Sequence, residues 1–422
     1  MATDSVSSPS QTFPRFWDVR EWRMGQKLMA TFLVVVLAAL GITGLISVNT
    51  SRDALLNQGA TNLLAVSHST SNAIDQYLFA HREDIATASA FAEIVAFARN
   101  PRDTTARANA LQVLKTLAKK TDYESIAIAD REGTILLSSS EQDLNTNIKS
   151  APYFAEPMKG IVGYISDPAV SPVTGKPALF FSAAIRDTAG QALGVLVSRL
   201  NLYGIWTMVE NDLDAAGPGT VGILLDEYGL RIAHSTSKWD RAGVEKNLLF
   251  NAVAPVPDQV AQQFVLENRF GTATVTNVPV RPLAEVARAL QSPTTGVFEA
   301  SADNSTARHY AVMTSLRIKP WRYVVMAPIP TFTSAADTLG FQLLLFAILI
   351  AALTSIVVIL LARTFTRPIV QLTQVADRLS LGELDVPIGI NRKDEIGELA
   401  EAIRRMQASI QFAMERLRTR RT

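Results

Sequence analysis

The sequence predicts an α+β membrane protein in which two transmembrane helices flank a large globular block. Two uncharged apolar runs, residues 28–51 and 340–362, carry this prediction, because a helix needs about 20 apolar residues to cross a bilayer core. The block between them contains short apolar segments separated by Asp and Gly turns, which is typical of antiparallel sheets. After the second run, apolar residues recur at steps of three and four, which is typical of a coiled coil.

Basic residues beside the two runs predict their orientation, because Lys and Arg close to a span favour the cytoplasmic side. Basic residues precede the first run, and Arg52 beside Asp53 follows it. The second run is followed by Arg363 and Arg367. Residues 1–27 are therefore predicted to be a cytoplasmic tail, and residues 52–336 to lie outside. A cleaved signal peptide is the alternative for the first run, but its apolar region would span only about 7–15 residues.

Composition argues against several classes of function. The net charge of +1 gives no electrostatic reason to expect nucleic-acid binding. The chain has no Cys, and its four His residues lack metal-ligand spacing, so neither a metal nor a cofactor is predicted. Ser235 and Thr236 lie beside His234, but without a recognisable orienting group they do not indicate a hydrolase.

The segment after the second run predicts two amphipathic helices and a connector. Pro368 suits the first turn of the first helix, and Asp394 is placed to cap the second. The connector contains Gly382 and offers Leu384 and Ile388 as apolar anchors. The predicted seam positions are Ile369, Leu372, Ala376 and Leu379 in the first helix, and Ile396, Leu399, Ile403, Met406, Ile410, Ala413 and Leu417 in the second.

These motifs resemble the HAMP domain family over residues 363–417. The resemblance rests on Pro368, on Gly382-x-Leu384-x-x-x-Ile388 and on Asp394-Glu395-Ile396-Gly397. It implies a parallel four-helix bundle made by two chains, and hence a parallel homodimer. It also implies that Glu395 braces the two helices and that six residues carry the signal relay: Pro368, Leu384, Ile388, Asp394, Glu395 and Gly397. An unrelated juxtamembrane coiled coil is the alternative.

The tail after this segment, residues 418–422, is too short for a catalytic domain. All four His residues precede the second span, so we expect no phosphoacceptor His inside the cell. No Gly-rich nucleotide loop follows either. The chain is therefore predicted not to be an enzyme.

The outer segment predicts two copies of one module after a long helix around residues 57–98. Apolar strands surround an Asp-x-x-Gly turn at residues 130–133 and again at residues 226–229. Further strands are predicted at residues 177–185 and 192–198, and then at 296–301, 310–314 and 321–327. Residues 236–292 interrupt the second module, and we expect them to be a surface elaboration.

The segments 149–154, 163–168 and 173–177 resemble the double Cache sensor family, which would cover residues 52–336. The resemblance implies a helical spine with two PAS-like units, a distal one near 122–202 that holds a small ligand and a proximal one near 215–330. Ala151 and Ser171 stand where amino-acid-binding members carry an Arg and an Asp, so we expect a smaller or less charged ligand. The predicted lining residues are Tyr153, Tyr164, Asp167, Phe181, Ser182 and Arg186. The alternative is that the aromatic residues belong to the core and that Asp167 is a turn residue.

Together these patterns predict a receptor subunit in a bacterial inner (plasma) membrane, with two spans and both termini cytoplasmic. Ligand binding outside would be relayed to a separate cytoplasmic kinase, phosphatase or cyclase, as in a two-component system. The first alternative is the sensor and relay portion of a longer histidine kinase, cyclase or chemoreceptor. The second is a membrane scaffold that senses nothing. Besides the effector, the predicted partners are a second copy of the chain, a small molecule and membrane lipid.

Overall fold

The computed structural model describes residues 24–120, 123–211, 213–236, 239–240, 243–244, 248–267, 269–271, 278–291, 296–303 and 305–419. The predicted tails 1–27 and 418–422 therefore lie largely outside the described residues. The helices are α1 Met24–Ala88, α2 Ala92–Arg99, α3 Thr104–Lys120, α4 Pro152–Met158, α5 Tyr203–Asn211, α6 Asp258–Leu266, α7 Ala284–Leu290, α8 Ile329–Leu361, α9 Arg367–Ser380 and α10 Glu395–Thr419. The strands are β1 Tyr123–Ala129, β2 Ile135–Ser138, β3 Tyr164–Ile165, β4 Ala169–Val170, β5 Pro177–Arg186, β6 Ala192–Asn201, β7 Val221–Leu225, β8 Arg231–His234, β9 Trp239–Asp240, β10 Gly243–Val244, β11 Val297–Ser301, β12 Arg308–Ser315 and β13 Arg322–Pro328.

The chain divides into two compact units. One comprises Asp53–Ser334, and the other comprises Met1–Arg52 together with Ala335–Thr422. Among the described residues, two helical segments, Ala30–Ala88 and Ile329–Ser380, are long and apolar enough to cross a membrane. They contain residues 30–51 of the first predicted apolar run and all of the second, and large side chains within them, such as Leu45 and Phe346, are exposed. The fold class is therefore confirmed as that of an α+β membrane protein with two spans.

The long helix α1 ends earlier than predicted. It stops at Ala88, and α2 begins separately at Ala92. At this point the Ser89 hydroxyl donates to the carbonyl of Ala86 at 2.7 Å. Serine side chains compete in this way for helical backbone groups, so Ser89 helps to end the helix.

Among its described residues, the unit Asp53–Ser334 contains the two-stranded antiparallel sheet β9–β10 and two larger antiparallel sheets of matching order. One sheet, which we call distal after the predicted unit that contains it, runs β2-β1-β6-β5-β3, with β4 also paired to β5; the other, which we call proximal in the same way, runs β11-β12-β13-β7-β8. Helix α1 contacts both of them. His81 bonds Tyr123 of the distal sheet at 2.8 Å, and Asp75 accepts the backbone N–H groups of Arg317 and Ile318 beside the proximal sheet.

The predicted Asp-x-x-Gly turns share one hydrogen-bond pattern. Asp130 accepts the N–H of Thr134 at 2.8 Å, and Asp226 accepts the N–H of Leu230 at 2.8 Å, each through Oδ1. Each turn ends in a glycine with positive φ, +85° at Gly133 and +82° at Gly229, a conformation that costs other residues more. The short pattern read from the sequence thus marks equivalent hairpins, β1–β2 and β7–β8.

Candidate functional site

The distal sheet encloses a small cavity on the face opposite α1. Its volume is about 20 Å³, which is room for about one water molecule. Residues 171–173 cover it, and we call residues 171–176 the cover segment. A broader open depression of about 830 Å³ shares Pro172, Val173 and Arg199 with the cavity. The cavity is lined by Ser125, Ala127, Ile135, Asp143, Ile148, Tyr153, Ser171, Pro172, Val173, Phe180, Val197 and Arg199.

A buried ionic network forms the polar part of the cavity wall. Arg199 Nη1 lies 2.5 Å from Asp143 Oδ1, and its Nε lies 3.2 Å from Glu124 Oε2. The Ser138 hydroxyl donates to Asp143 Oδ2 at 2.8 Å. Because a buried charge is costly unless it is paired, Arg199 and Asp143 depend on each other. Sequence reasoning missed both, although a lone Arg in the apolar strand β6 was a usable signal.

Tyr153 is the residue of the predicted set that lines this cavity. It lies on α4, and its ring stacks on Phe180 with the centroids 4.1 Å apart. Burial raises the pKa of Tyr153 to about 12; Arg199 opposes this shift and Asp143 adds to it. The phenol therefore stays protonated at neutral pH and can donate a hydrogen bond.

Other predicted lining residues lie elsewhere. Phe181 points to the opposite face, where its ring is 5.5 Å from His81. Arg186 is exposed at the end of β5 and donates to the carbonyl of Gly190. Tyr164 and Ser182 face each other across β3 and β5, and the buried Ser182 hydroxyl has no hydrogen-bond partner within the described part of the chain. The structure thus does not bring the six residues together around one cavity.

Asp167 connects the distal unit to the proximal unit. Its Oδ1 accepts a hydrogen bond from Trp321 Nε1 at 2.9 Å and lies 3.0 Å from Lys319 Nζ. Burial acts to raise the pKa of Asp167, but Lys319, Arg269 and the Trp321 hydrogen bond together hold it below its usual range. The carboxylate is already occupied by residues more than 150 positions away in the chain.

In the compact unit that contains residues 335–422, Arg392 joins the end of the second span to the start of α10. A π-helical turn, Ala362–Thr366, leads into α9, and Pro368 has no N–H to offer the Thr364 carbonyl four residues earlier. Arg392 Nη1 donates to this carbonyl at 2.7 Å. The same guanidinium bonds Asp394 at 2.5 Å and 2.9 Å, and Asp394 caps α10 by accepting the Gly397 N–H at 3.1 Å.

The six predicted relay residues have identifiable positions in this segment. An added side chain at Gly397 would collide with the backbone of Arg392, so this place requires glycine. Leu384 and Ile388 are half-buried, whereas Val386 between them is buried. Gln407 donates to the carbonyl of Leu384 at 2.7 Å and so fixes the connector on α10. Glu395 is exposed in the first turn of α10.

Within one chain, much of the predicted seam stays open to solvent. Leu372 and Leu379 are buried, but Ile369 is 40% exposed. In α10, Leu399 is 45% exposed and Met406 is 45% exposed. A helix with an apolar face is normally covered by another element, so this surface is incomplete in the single chain.

Comparisons with known proteins agree with this division of the chain. Residues 360–412 match the HAMP domain family. A provisionally named sensory transducer protein of Acetivibrio thermocellus is 36% identical over 77 residues, which is 18% of this chain and 13% of that protein. The chain therefore matches only about an eighth of the length of this curated relative.

Two solved structures resemble about two thirds of this chain. The sensor domain of the V. cholerae histidine kinase DctB matches with a TM-score of 0.50 and 16% identity, over 65% of this chain and 98% of that one. The ligand-binding domain of the Pseudomonas fluorescens chemoreceptor CtaA, solved with L-isoleucine, matches with a TM-score of 0.46 and 15% identity, over 68% and 99% of the two chains.

The chain thus combines two helices that are long and apolar enough to span a membrane with a portion whose fold is like that of the DctB sensor domain. Its HAMP domain occupies residues 360–412, which confirms the resemblance seen in the sequence. The likeness to the DctB sensor domain confirms the predicted fold of the portion between the two spans.

Proposed function

We propose that this protein is a transmembrane receptor subunit that binds a small molecule in the distal cavity and relays the event through its HAMP domain. The cavity is the observation that carries the proposal. It combines a buried ion pair, a phenol and an apolar wall, which is the usual composition of a small-molecule site. It also lies in the unit in which the resemblance to double Cache sensors implies a ligand.

The proposed ligand is small and of low net charge. Arg199 is already paired with Asp143 and Glu124, so the wall offers no unpaired cation to a multiply charged anion. Because the free volume is about 20 Å³, the ligand must displace the cover segment to enter. The proposed contacts are Tyr153 from the sequence prediction, together with Asp143, Ser171 and Arg199.

The exposed seam supports a parallel homodimer. Ile369, Leu399 and Met406 lie open on one chain, and a second copy would cover them with the same residue types. The basic residues beside the spans support cytoplasmic termini, and the proposed membrane is the bacterial inner membrane. With this orientation the sensor lies outside and the HAMP domain lies inside.

The proposed effector is a separate cytoplasmic kinase, phosphatase or cyclase. A second candidate function is that of the sensor and relay portion of a longer signalling protein. The match to a sensory transducer protein, 36% identical over 77 residues, favours this alternative. Extending the coding sequence beyond Thr422 distinguishes the two.

A thermal-shift screen of the purified full-length protein tests the proposed site. The probes are small organic acids, amines and amides, each added at increasing concentration. A ligand that binds only the folded state adds about 2.7 kcal/mol to the free energy of unfolding at a hundred times its Kd. The melting temperature therefore rises. The matched control is Ala127→Ile, which fills the cavity and should abolish the shift. A shift that persists in this variant would place the site elsewhere, and no shift with any probe would favour a scaffold.

A further inference from the structure

A buried arginine from the segment predicted to be a surface elaboration joins the distal and proximal units. Arg269 follows α6, and its Nη2 donates to Asp226 Oδ2 at 2.6 Å. Its Nε donates to the carbonyl of Pro168 at 3.3 Å. Asp226 belongs to the proximal hairpin β7–β8, whereas Pro168 precedes β4 of the distal sheet. One side chain therefore bonds both units.

The backbone of Arg269 extends the same link to β4. The Val170 N–H donates to the Arg269 carbonyl at 3.0 Å. Gly271 has a φ of +78°, and a Cβ there would lie 2.9 Å from Val170 Cγ1, so glycine permits the close approach. On the other side, the guanidinium carbon lies 4.6 Å from the centre of the Phe264 ring. Arg269 is thus held between α6 and β4.

The cover segment begins directly after Val170. The Ser171 N–H donates to the Lys176 carbonyl at 2.8 Å, and the Gly175 N–H donates to the Ser171 carbonyl at 2.9 Å. These bonds close the segment on itself, so it can move as one piece. Because Val170 precedes it without an intervening residue, displacement of the cover acts on the bond between Val170 and Arg269.

At its other end, Arg269 completes the bonding of a proximal turn. Asp226 Oδ1 accepts the N–H groups of Tyr228 and Leu230 at 2.9 Å and 2.8 Å, while Oδ2 accepts the bond from Arg269. Both members of the ion pair are buried. Removal of one partner of a buried pair leaves an uncompensated charge. A shift of Arg269 therefore alters the turn between β7 and β8.

We propose that Arg269 is a positioning residue that couples the cover of the distal cavity to the first hairpin of the proximal unit. This inference rests on the proposed function, because it assigns displacement of the cover to ligand entry. When a ligand lifts residues 171–176, the change reaches Asp226 through Val170 and Arg269. The proximal hairpin β7–β8 is the element that receives it.

Hydrogen exchange of the purified full-length protein tests the first step without any ligand. In Arg269→Met, the amides of Tyr228 and Leu230 should exchange roughly tenfold faster or more, as expected for the loss of a hydrogen bond to a charged group. The matched control is Arg308→Met, which removes an exposed arginine that bridges Glu285 and Glu299. It should leave both amides unchanged. Equal exchange in wild type and Arg269→Met would overturn the proposal.

Two cavity variants test the coupling itself. Val173→Ala alters the cover, and Ala127→Ile alters the sheet beneath it, so one remains informative if the other does not fold. Each should change the exchange of the Tyr228 and Leu230 amides in the wild-type background and leave it unchanged in the Arg269→Lys background. Lysine keeps the charge but lacks the planar fork that bonds two acceptors at once.

If Arg269 only stabilises the fold, the cavity variants should change the exchange of the Tyr228 and Leu230 amides equally in the wild-type and Arg269→Lys backgrounds. That result, or no response in either background, would overturn the coupling. The exchange measurements use no ligand, so the coupling and the proposed ligand site can fail independently. A failed thermal-shift screen beside intact coupling would reject only the proposed ligand site.

Discussion

The distal and proximal units share a sheet order and a hairpin turn but differ in the side chains on one face. The residues of the two units can be aligned through their strand pairing, because β1 pairs with β6 in the distal sheet in the same way as β7 pairs with β13 in the proximal sheet. At three aligned positions the distal side chain is small and the proximal one is large. These pairs are Ser125 with Val221, Ala127 with Ile223, and Ala129 with Leu225. The distal face holds the cavity, while Val221, Ile223 and Leu225 belong to a packed apolar cluster.

Buried charge is also placed differently in the two units. The distal Arg199, paired with Ser125 across the sheet, aligns with the proximal Met326, which is paired with Val221. Conversely, the distal Ile135 aligns with the proximal Arg231, which bonds Asp303 at 2.9 Å. One backbone plan thus supports either a polar cavity or a filled core. The side-chain volumes on β1 and β7 decide which of them forms.

The largest loss of stability is expected when Arg199 of the distal sheet is replaced by methionine, the residue at the aligned proximal position. Arg199→Met leaves Asp143 buried without its partner, and breaking a buried pair costs about 3–5 kcal/mol. Denaturant unfolding of the purified protein, followed by Trp fluorescence, measures this loss. Arg186→Met is the control, because this exposed arginine at the end of β5 should change stability by about 0.5 kcal/mol or less. Equal stability of the two variants would contradict the assigned role of the ion pair.

The next largest loss of stability is expected when Ile223 of the proximal sheet is replaced by alanine, the residue at the aligned distal position. Ile223→Ala removes a fully buried side chain and should cost about 2–5 kcal/mol, because the remaining cavity is only partly refilled. The same unfolding experiment measures it. A cost near zero would show that the proximal core collapses readily, and the comparison of volumes would then not explain the distal cavity.

The reverse exchange should cost less stability. Ala127→Ile adds volume beside a cavity of about 20 Å³, and overpacking typically costs about 1–3 kcal/mol. The free energy of unfolding gives this cost, and Ala129→Gly serves as a variant that changes β1 without filling the cavity. A cost above that of Ile223→Ala would mean that the distal face has no usable space.

The smallest effect is a pH dependence of the proximal unit. Burial lowers the pKa of His234 below its ordinary value of 6.5, against the opposing effect of Asp303. The folded state then binds fewer protons than the unfolded state, so stability should fall as pH drops through 6.5 towards the folded pKa. Between pH 7.5 and pH 5.5, the free energy of unfolding should change less steeply with pH in His234→Asn than in the wild type. Identical slopes would exclude a contribution of His234.

The sequence predicted those parts of the fold that depend on local patterns. The apolar runs mark α1 and α8, and the Asp-x-x-Gly turns at residues 130–133 and 226–229 mark equivalent hairpins. Each of these patterns is local, because the residues that form it are close together in the sequence. The end of α1 was missed because a single side chain, Ser89, competes for the backbone there.

The candidate site was less predictable, because its residues meet through sheet pairing. Asp143 and Arg199 lie 56 positions apart, and the pairing of β1 with both β2 and β6 brings them to one cavity. Phe181 was assigned to the cavity, although one residue along a strand changes the face. Asp167 was predicted to line the ligand cavity, but it bonds Trp321, which lies 154 positions away in the chain.

The proline after the second span has a mechanical consequence for the HAMP domain. Pro368 leaves the Thr364 carbonyl without the usual N–H from four residues ahead, and Arg392 supplies a donor from the start of α10. Rotation of residues 362–366 about their own axis would swing this oxygen away from Arg392. Torque on the segment is therefore resisted by hydrogen bonds at the first turn of α10 in the same chain. The helices α9 and α10 of the chain would therefore turn together.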